Sequence, residues 1–110
     1  MIVTTTNEVP SRSVDEVIGI IRGIVVRAPG IGQGIMGGLQ QILGGNIEAY
    51  AQVCEAAREE AFARMVEHAN AVGADAIIAM RYDATEFAPG VTEVLAYGTA
   101  VKLSPSDNLA

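Results

Sequence analysis

NIEAYAQVCEAAREEAFARMVEHANAVG, from Asn46 to Gly73, is the stretch that decides the fold. Tyr50, Cys54 or Val53, Ala57, Ala61, Met65 and Ala69 recur at helical spacing and mark one apolar face. Glu48, Gln52, Glu55, Glu59, Glu67 and Asn70 lie mostly on the other. Apolar residues confined to one stripe of a 3.6-residue period predict an amphipathic surface helix that needs a sheet or a second helix beneath it. Asn46 is a suitable N-cap, because its side chain can accept the first orphan amide. Gly73 stands where a left-handed C-terminal cap is expected after about Val72.

Working upstream, Gly44 and Gly45 end a shorter periodic segment in which Ile31, Ile35, Leu39, Ile42 and Leu43 share a face, so a first short helix is expected there. Before it, VDEVIGIIRGIVV from Val14 to Val26 is dominated by Ile and Val, with Gly19 and Gly23 inside it. This composition predicts a long strand that bends or bulges at the glycines and stops at Pro29 and Gly30. Ile2 to Thr5 is β-branched and runs into a turn-prone segment containing Pro10, which suits a short edge strand and a loop. Downstream, Ala74 to Asp83 holds the apolar run AIIAM, and Val91 to Leu103 reads VTEVLAYGTAVKL. Pro89 and Gly90 lie between them, so the two are expected to form an antiparallel pair. The order β-β-α-α-β-β predicts an α+β fold with two layers: a mainly antiparallel sheet and two helices on one side. The domain is expected over 1–103, with 104–110 as a flexible C-terminal tail.

The chain has 110 residues, half of them hydrophobic and 18% charged, which suits one folded domain and excludes intrinsic disorder. Seven Lys and Arg against 13 Asp and Glu leave a formal charge of -6, an unfavourable balance for a nucleic-acid partner. The most apolar stretch, Val17 to Leu43, is interrupted by Arg22, Arg27 and Pro29, so no membrane span is expected. The start, MIVTTTNEVP, has neither the basic nor the apolar region of a signal peptide, and a single cysteine excludes an internal disulfide. A cytoplasmic protein is the expectation.

Chemistry-bearing residues are sparse. Gly32, Gly34 and Gly37 match GxGxxG between a strand and a helix, yet the acidic residue that should end a following parallel strand would fall near Gln52, inside the long helix. Spacing of Gly30, Gly34 and Gly38 at every fourth residue suits close helix packing better. Cys54 and His68 are the metal-ligand candidates, but they are 14 residues apart on one helix, about 21 Å along its axis. A buried structural Cys and a surface His are the simpler reading, and a metal would require several chains to converge or a carboxylate from elsewhere. Glu55, Glu59, Glu60 and Glu67 alternate with Arg58 and Arg64 as a solvated face. Arg81, Tyr82 and Asp83 end the third strand. They suit a ligand or interface site or, as economically, an Arg81–Asp83 ion pair on one face with Tyr82 on the other. No catalytic set is present, and the chain is expected not to be an enzyme.

The opening MIVTTTN, the GG before Tyr50, Arg58, Ala61, Met65 and Ala69 on the helix, GADAII from Gly73 to Ile78, RYD from Arg81 to Asp83 and GTAV from Gly98 to Val101 occur in this order across about Met1 to Leu103. Together they resemble the YbjQ family of small bacterial proteins, also called the UPF0145 or DUF74 family. The resemblance implies a dodecin-like subunit that joins a homo-oligomer, a ring of five in which extra strands help link the chains. It also implies a heavy-metal-binding label with no ligand motif to transfer, so the cofactor expected is a divalent or soft metal ion or a small ligand. Rival readings are a structural or adaptor ring for another protein and an enzyme with a site between subunits. Members often carry glycine just before the RYD segment, where this chain has Ala79 and Met80.

Overall fold

A computed structural model describes residues 1–27, 47–88 and 91–105. The short helix, the glycines from Gly30 to Gly38, the Asn46 cap and the Pro89–Gly90 turn lie outside the described residues. Within them the chain forms β1 (Ile2–Val3), β2 (Val14–Arg27), α1 (Ile47–Ala71), β3 (Ala76–Ala88) and β4 (Val91–Leu103). The four strands make one mixed sheet in the order β1-β3-β4-β2. β1 is parallel to β3, and the other two pairings are antiparallel. The α+β architecture and the β3/β4 pair are as the sequence predicts. β3 continues to Ala88, five residues beyond the expected Asp83, because every residue of its extension except Phe87 finds a partner in β4.

One face of the sheet meets the helix. Ala57, Ala61, Met65 and Ala69 sit four residues apart and are buried, the last three against Ile21, Val25, Ile77, Met80, Ala96 and Ala100. The alanines bring the helix backbone close to the sheet, and Gly23 of β2 is the matching concession. A β-carbon there would overlap the Ala61 carbonyl oxygen and the Met65 amide nitrogen and lie 2.8 Å from Cβ of Arg64. Gly19 supplies the expected bulge, with φ +148 and a register shift between Val17 and Gly19. Gly23, by contrast, stays in regular register opposite Ala96, so its role is close approach. The helix ends as predicted at Gly73 (φ +76): the Gly73 amide donates to Asn70 O (3.1 Å) and the Ala74 amide to Ala69 O (3.0 Å). This is a Schellman cap, and Ala74 packs against the same core as Ala69.

The second face is covered at one end only. The segment after β1 lays Val9 over Ala76, Val101 and Leu103. Ser104 is held beyond β4, donating from its amide to Ser13 O (2.8 Å) and accepting from Arg12 Nε at its carbonyl (2.8 Å). Toward the other end of this face, Ile20 is 76% exposed and Val26 48%.

Candidate functional site

Strand alternation settles the geometry of Arg81, Tyr82 and Asp83. Arg81 lies opposite Tyr97 and Asp83 opposite Leu95, on the open face, whereas Tyr82 lies opposite Ala96, on the helix side. The three side chains therefore do not converge. Arg81 Nη1 donates to the carbonyls of Thr5 (2.9 Å) and Met80 (2.7 Å), and Asp83 Oδ1 accepts the Ala84 amide (2.9 Å). The anticipated Arg81–Asp83 ion pair is not formed; the guanidinium is instead committed to fastening the Thr4–Thr6 segment to β3.

That fastening surrounds a bulge. Ala79 and Met80 together face Gly98, between the Ile78–Thr99 and Arg81–Tyr97 pairs, and Ala79 is left-handed at φ +52. Its amide donates to Thr6 O (2.8 Å), and that of Met80 donates to Thr4 O (3.0 Å). A β-carbon at Gly98 would come within 2.6 Å of Ile77 Cγ2 and 3.1 Å of Ile78 O, so the bulge and the glycine of the GTAV segment fit each other. Asp75, from the GADAII segment, accepts the Leu103 amide at Oδ2 (2.9 Å) and is likewise structural.

Tyr82 faces the outer part of α1. Burial pushes its phenol above 10.0; the positive charge of Arg58 opposes that, and the carboxylates of Glu55 and Glu59 reinforce it. Glu55 and Arg58 form an exposed ion pair at 3.7 Å, an arrangement worth little to stability. Cys54 directly precedes Glu55 and lies one turn before Arg58. The expectation of a buried Cys54 is corrected: it is exposed. Cys54, Glu55 and Ala56 are all exposed, and Ala57 is the first buried position among the described residues of the sheet-facing stripe.

His68 is exposed, as anticipated, but it is not idle. The Arg22 amide donates to His68 Nδ1 at 3.2 Å, and Arg64 Nη1, one turn earlier, donates to Ile24 O at 2.6 Å. The two side chains thus satisfy backbone groups along the outer edge of β2, which would otherwise invite another strand. Accepting the amide requires an unprotonated Nδ1, so a neutral ring keeps its proton on Nε2. With the proton on Nδ1 instead, the ring can donate to Arg22 O at 3.4 Å, so His68 keeps a bond to Arg22 in either tautomer. Sequence reasoning missed this edge cap; its signal was a long basic side chain and a histidine at i, i+4 beside a glycine-bearing strand.

Cys54 and His68 are both on α1, about 21 Å apart along its axis. Among the described residues no three of His, Cys, Asp and Glu are grouped to hold a metal ion, so one chain's described residues do not fit such a group. No described helix is long and apolar enough to cross a membrane.

A family described as "Putative heavy-metal-binding" matches residues 1–104. A UPF0145 protein of Legionella pneumophila (strain Corby) is 57% identical over 101 residues, covering 92% of this chain and 96% of the relative. A UPF0145 protein of Chromobacterium violaceum is 54% identical over 103 residues, 94% and 88% of the two chains. Among solved structures, a DUF74-family protein of unknown function from Pediococcus pentosaceus superposes with a TM-score of 0.55 at 16% identity. It covers 94% of this chain and 98% of its own, a likeness of fold.

Proposed function

The chain belongs to the YbjQ (UPF0145, DUF74) family, and from that premise we propose that it is a non-enzymatic cytoplasmic protein, a dodecin-like subunit of a homo-oligomeric ring of five. In this reading it binds a soft metal ion at a site completed by more than one chain. The observation that carries it is the exposed thiol of Cys54, which is accessible to a neighbouring chain while its own chain's described residues offer no grouped ligands. A thiolate selects soft ions such as zinc, and a closed zinc site takes four ligands, more than one α1 supplies. His68 is the lesser candidate because an imidazole is a harder ligand for a soft ion than a thiolate, and it lies about 21 Å from Cys54 along α1.

Metal content per chain, measured after zinc loading and desalting, tests the proposal. Cys54→Ser should abolish retention while the assembly's mass persists. Unchanged stoichiometry removes Cys54, and the same measurement on His68→Gln tests the imidazole. The exposed apolar side chains of the open sheet face favour a second reading, a structural or adaptor ring, in which no metal is retained and assembly is unaffected by chelation.

A further inference from the structure

Among the described residues β2 is paired with β4 alone and forms one edge of the sheet. Its ladder with β4 runs without interruption from Gly19 to Arg27, and the register shift between Val17 and Gly19 breaks it beyond that stretch. In an antiparallel strand the amide and carbonyl of one residue point to the same side, and alternate residues point to opposite sides. The contacts of Arg22 and Ile24 with α1 fix these two as outward-facing, so Ile20 and Val26 share their direction. Ile20 and Val26 also carry exposed apolar side chains. A long Ile- and Val-rich edge of this kind is a template for another strand.

We propose that the Arg64 and His68 side chains form an autoinhibitory clasp, in which α1 takes the place of a neighbouring strand and bars a strand of a second copy from β2. His68 Nδ1 accepts the Arg22 amide at 3.2 Å and lies 3.4 Å from the Arg22 carbonyl oxygen, so the ring sits across both outward groups of that residue. Arg64 Nη1 donates to Ile24 O at 2.6 Å, while its Nη2 donates to Glu60 Oε1 at 2.9 Å and is held from the helix side. Gly23, between the two clasped residues, is what lets the helix stand this close, since a β-carbon there would overlap the Ala61 carbonyl oxygen and the Met65 amide nitrogen. The clasp takes the middle of the outward set. Ile20 and Val26 remain on either side of it, about 20 Å apart along the strand, and neither alone can seat a ladder. The bulge at Gly19 closes the edge from the other direction, because a bulged edge twists away from an incoming strand. The device is independent of the metal-site reading and acts on whatever assembly the native chain builds through its other surfaces.

Light scattering at about 100 μM, where micromolar contacts saturate, tests the clasp, with circular dichroism to confirm folding. Arg64→Met combined with His68→Ala removes both hydrogen-bonding ends and keeps an apolar stem on the helix; its mass should rise about twofold or more over that of the native chain. Arg64→Lys combined with His68→Asn keeps a donor and an acceptor in the same places and should hold the native mass. Ile20→Lys, which sets a charge beside the opened edge, should return the Arg64→Met, His68→Ala chain to the native mass. A folded Arg64→Met, His68→Ala chain of native mass overturns the clasp. So does a rise in mass that Ile20→Lys leaves in place, or one that the Lys and Asn pair shows as well, because that association arises elsewhere. Should the double variant lose its fold, the single variants Arg64→Met and His68→Ala decide by the same measurement: a rise in either supports the clasp, and native mass in both overturns it.

Discussion

Ala79→Gly should make the protein more stable, although it removes a side chain and adds chain entropy. Ala79 stands at φ +52 in the bulge opposite Gly98, and its amide is tied to Thr6 O while the next amide is tied to Thr4 O. The backbone therefore cannot relax to an ordinary strand conformation without losing two hydrogen bonds. A left-handed conformation costs a non-glycine residue about 1–2 kcal/mol. Replacing it by glycine removes that cost but adds about 0.5–1 kcal/mol for the freer unfolded chain. The balance is a gain of about 0.5–1 kcal/mol, equivalent to a rise in Tm of about 4 °C for a domain of this size. Thermal unfolding followed by circular dichroism at one fixed protein concentration reads the shift, since assembly makes Tm concentration-dependent. Ala79→Val, with a β-branched side chain in the same conformation, should move Tm the other way. A fall in Tm for Ala79→Gly, or a Val variant as stable as the native chain, would refute the strained bulge.

Gly23→Ala drives a methyl group into the helix backbone at Ala61 and Met65 and should cost about 3 kcal/mol, read as a lower urea midpoint. Met65→Ala removes the largest side chain of the buried helix stripe, fully shielded from solvent, and should cost about 2–5 kcal/mol in the same assay. Gly73→Ala, at φ +76, should cost about 1–2 kcal/mol by straining the helix cap, again measured by urea unfolding. Burial holds the Tyr82 phenol above 10.0, so its neutral form is favoured in the folded state; the stability it adds is present below the ordinary phenol value and is lost as pH rises through the raised one. Ultraviolet titration should show a tyrosine transition above 10.0 that disappears in Tyr82→Phe.

Much of the fold was legible because its signals are local. The four-residue repeat from Ala57 to Ala69 is the buried helix stripe, Gly73 is its cap, and Gly19 is a bulge in β2. Gly23 looked identical to Gly19 in sequence, and only the helix crossing above it separates close approach from a bulge. Cys54 and Val53 are alternatives for one position of the apolar period, and the buried stripe steps by four from Ala57 to Ala69, a spacing that does not include Cys54, which is exposed. Arg81 and Asp83 share a face, as alternation requires, but the nearby carbonyls of Thr5 and Met80 capture the guanidinium, a tertiary competition that strand spacing does not contain. The use of His68 as an edge cap was hidden for the same reason, since its partner Arg22 is 46 residues away.

Native mass spectrometry of the zinc-loaded protein tests the central claim most directly, because it weighs the assembly and counts its ions together. The account predicts an oligomer that carries zinc, at no more than one ion per chain, and that sheds its zinc when it dissociates to 11.5 kDa subunits. A single chain that keeps one zinc ion by itself, or an oligomer that retains none, would contradict it.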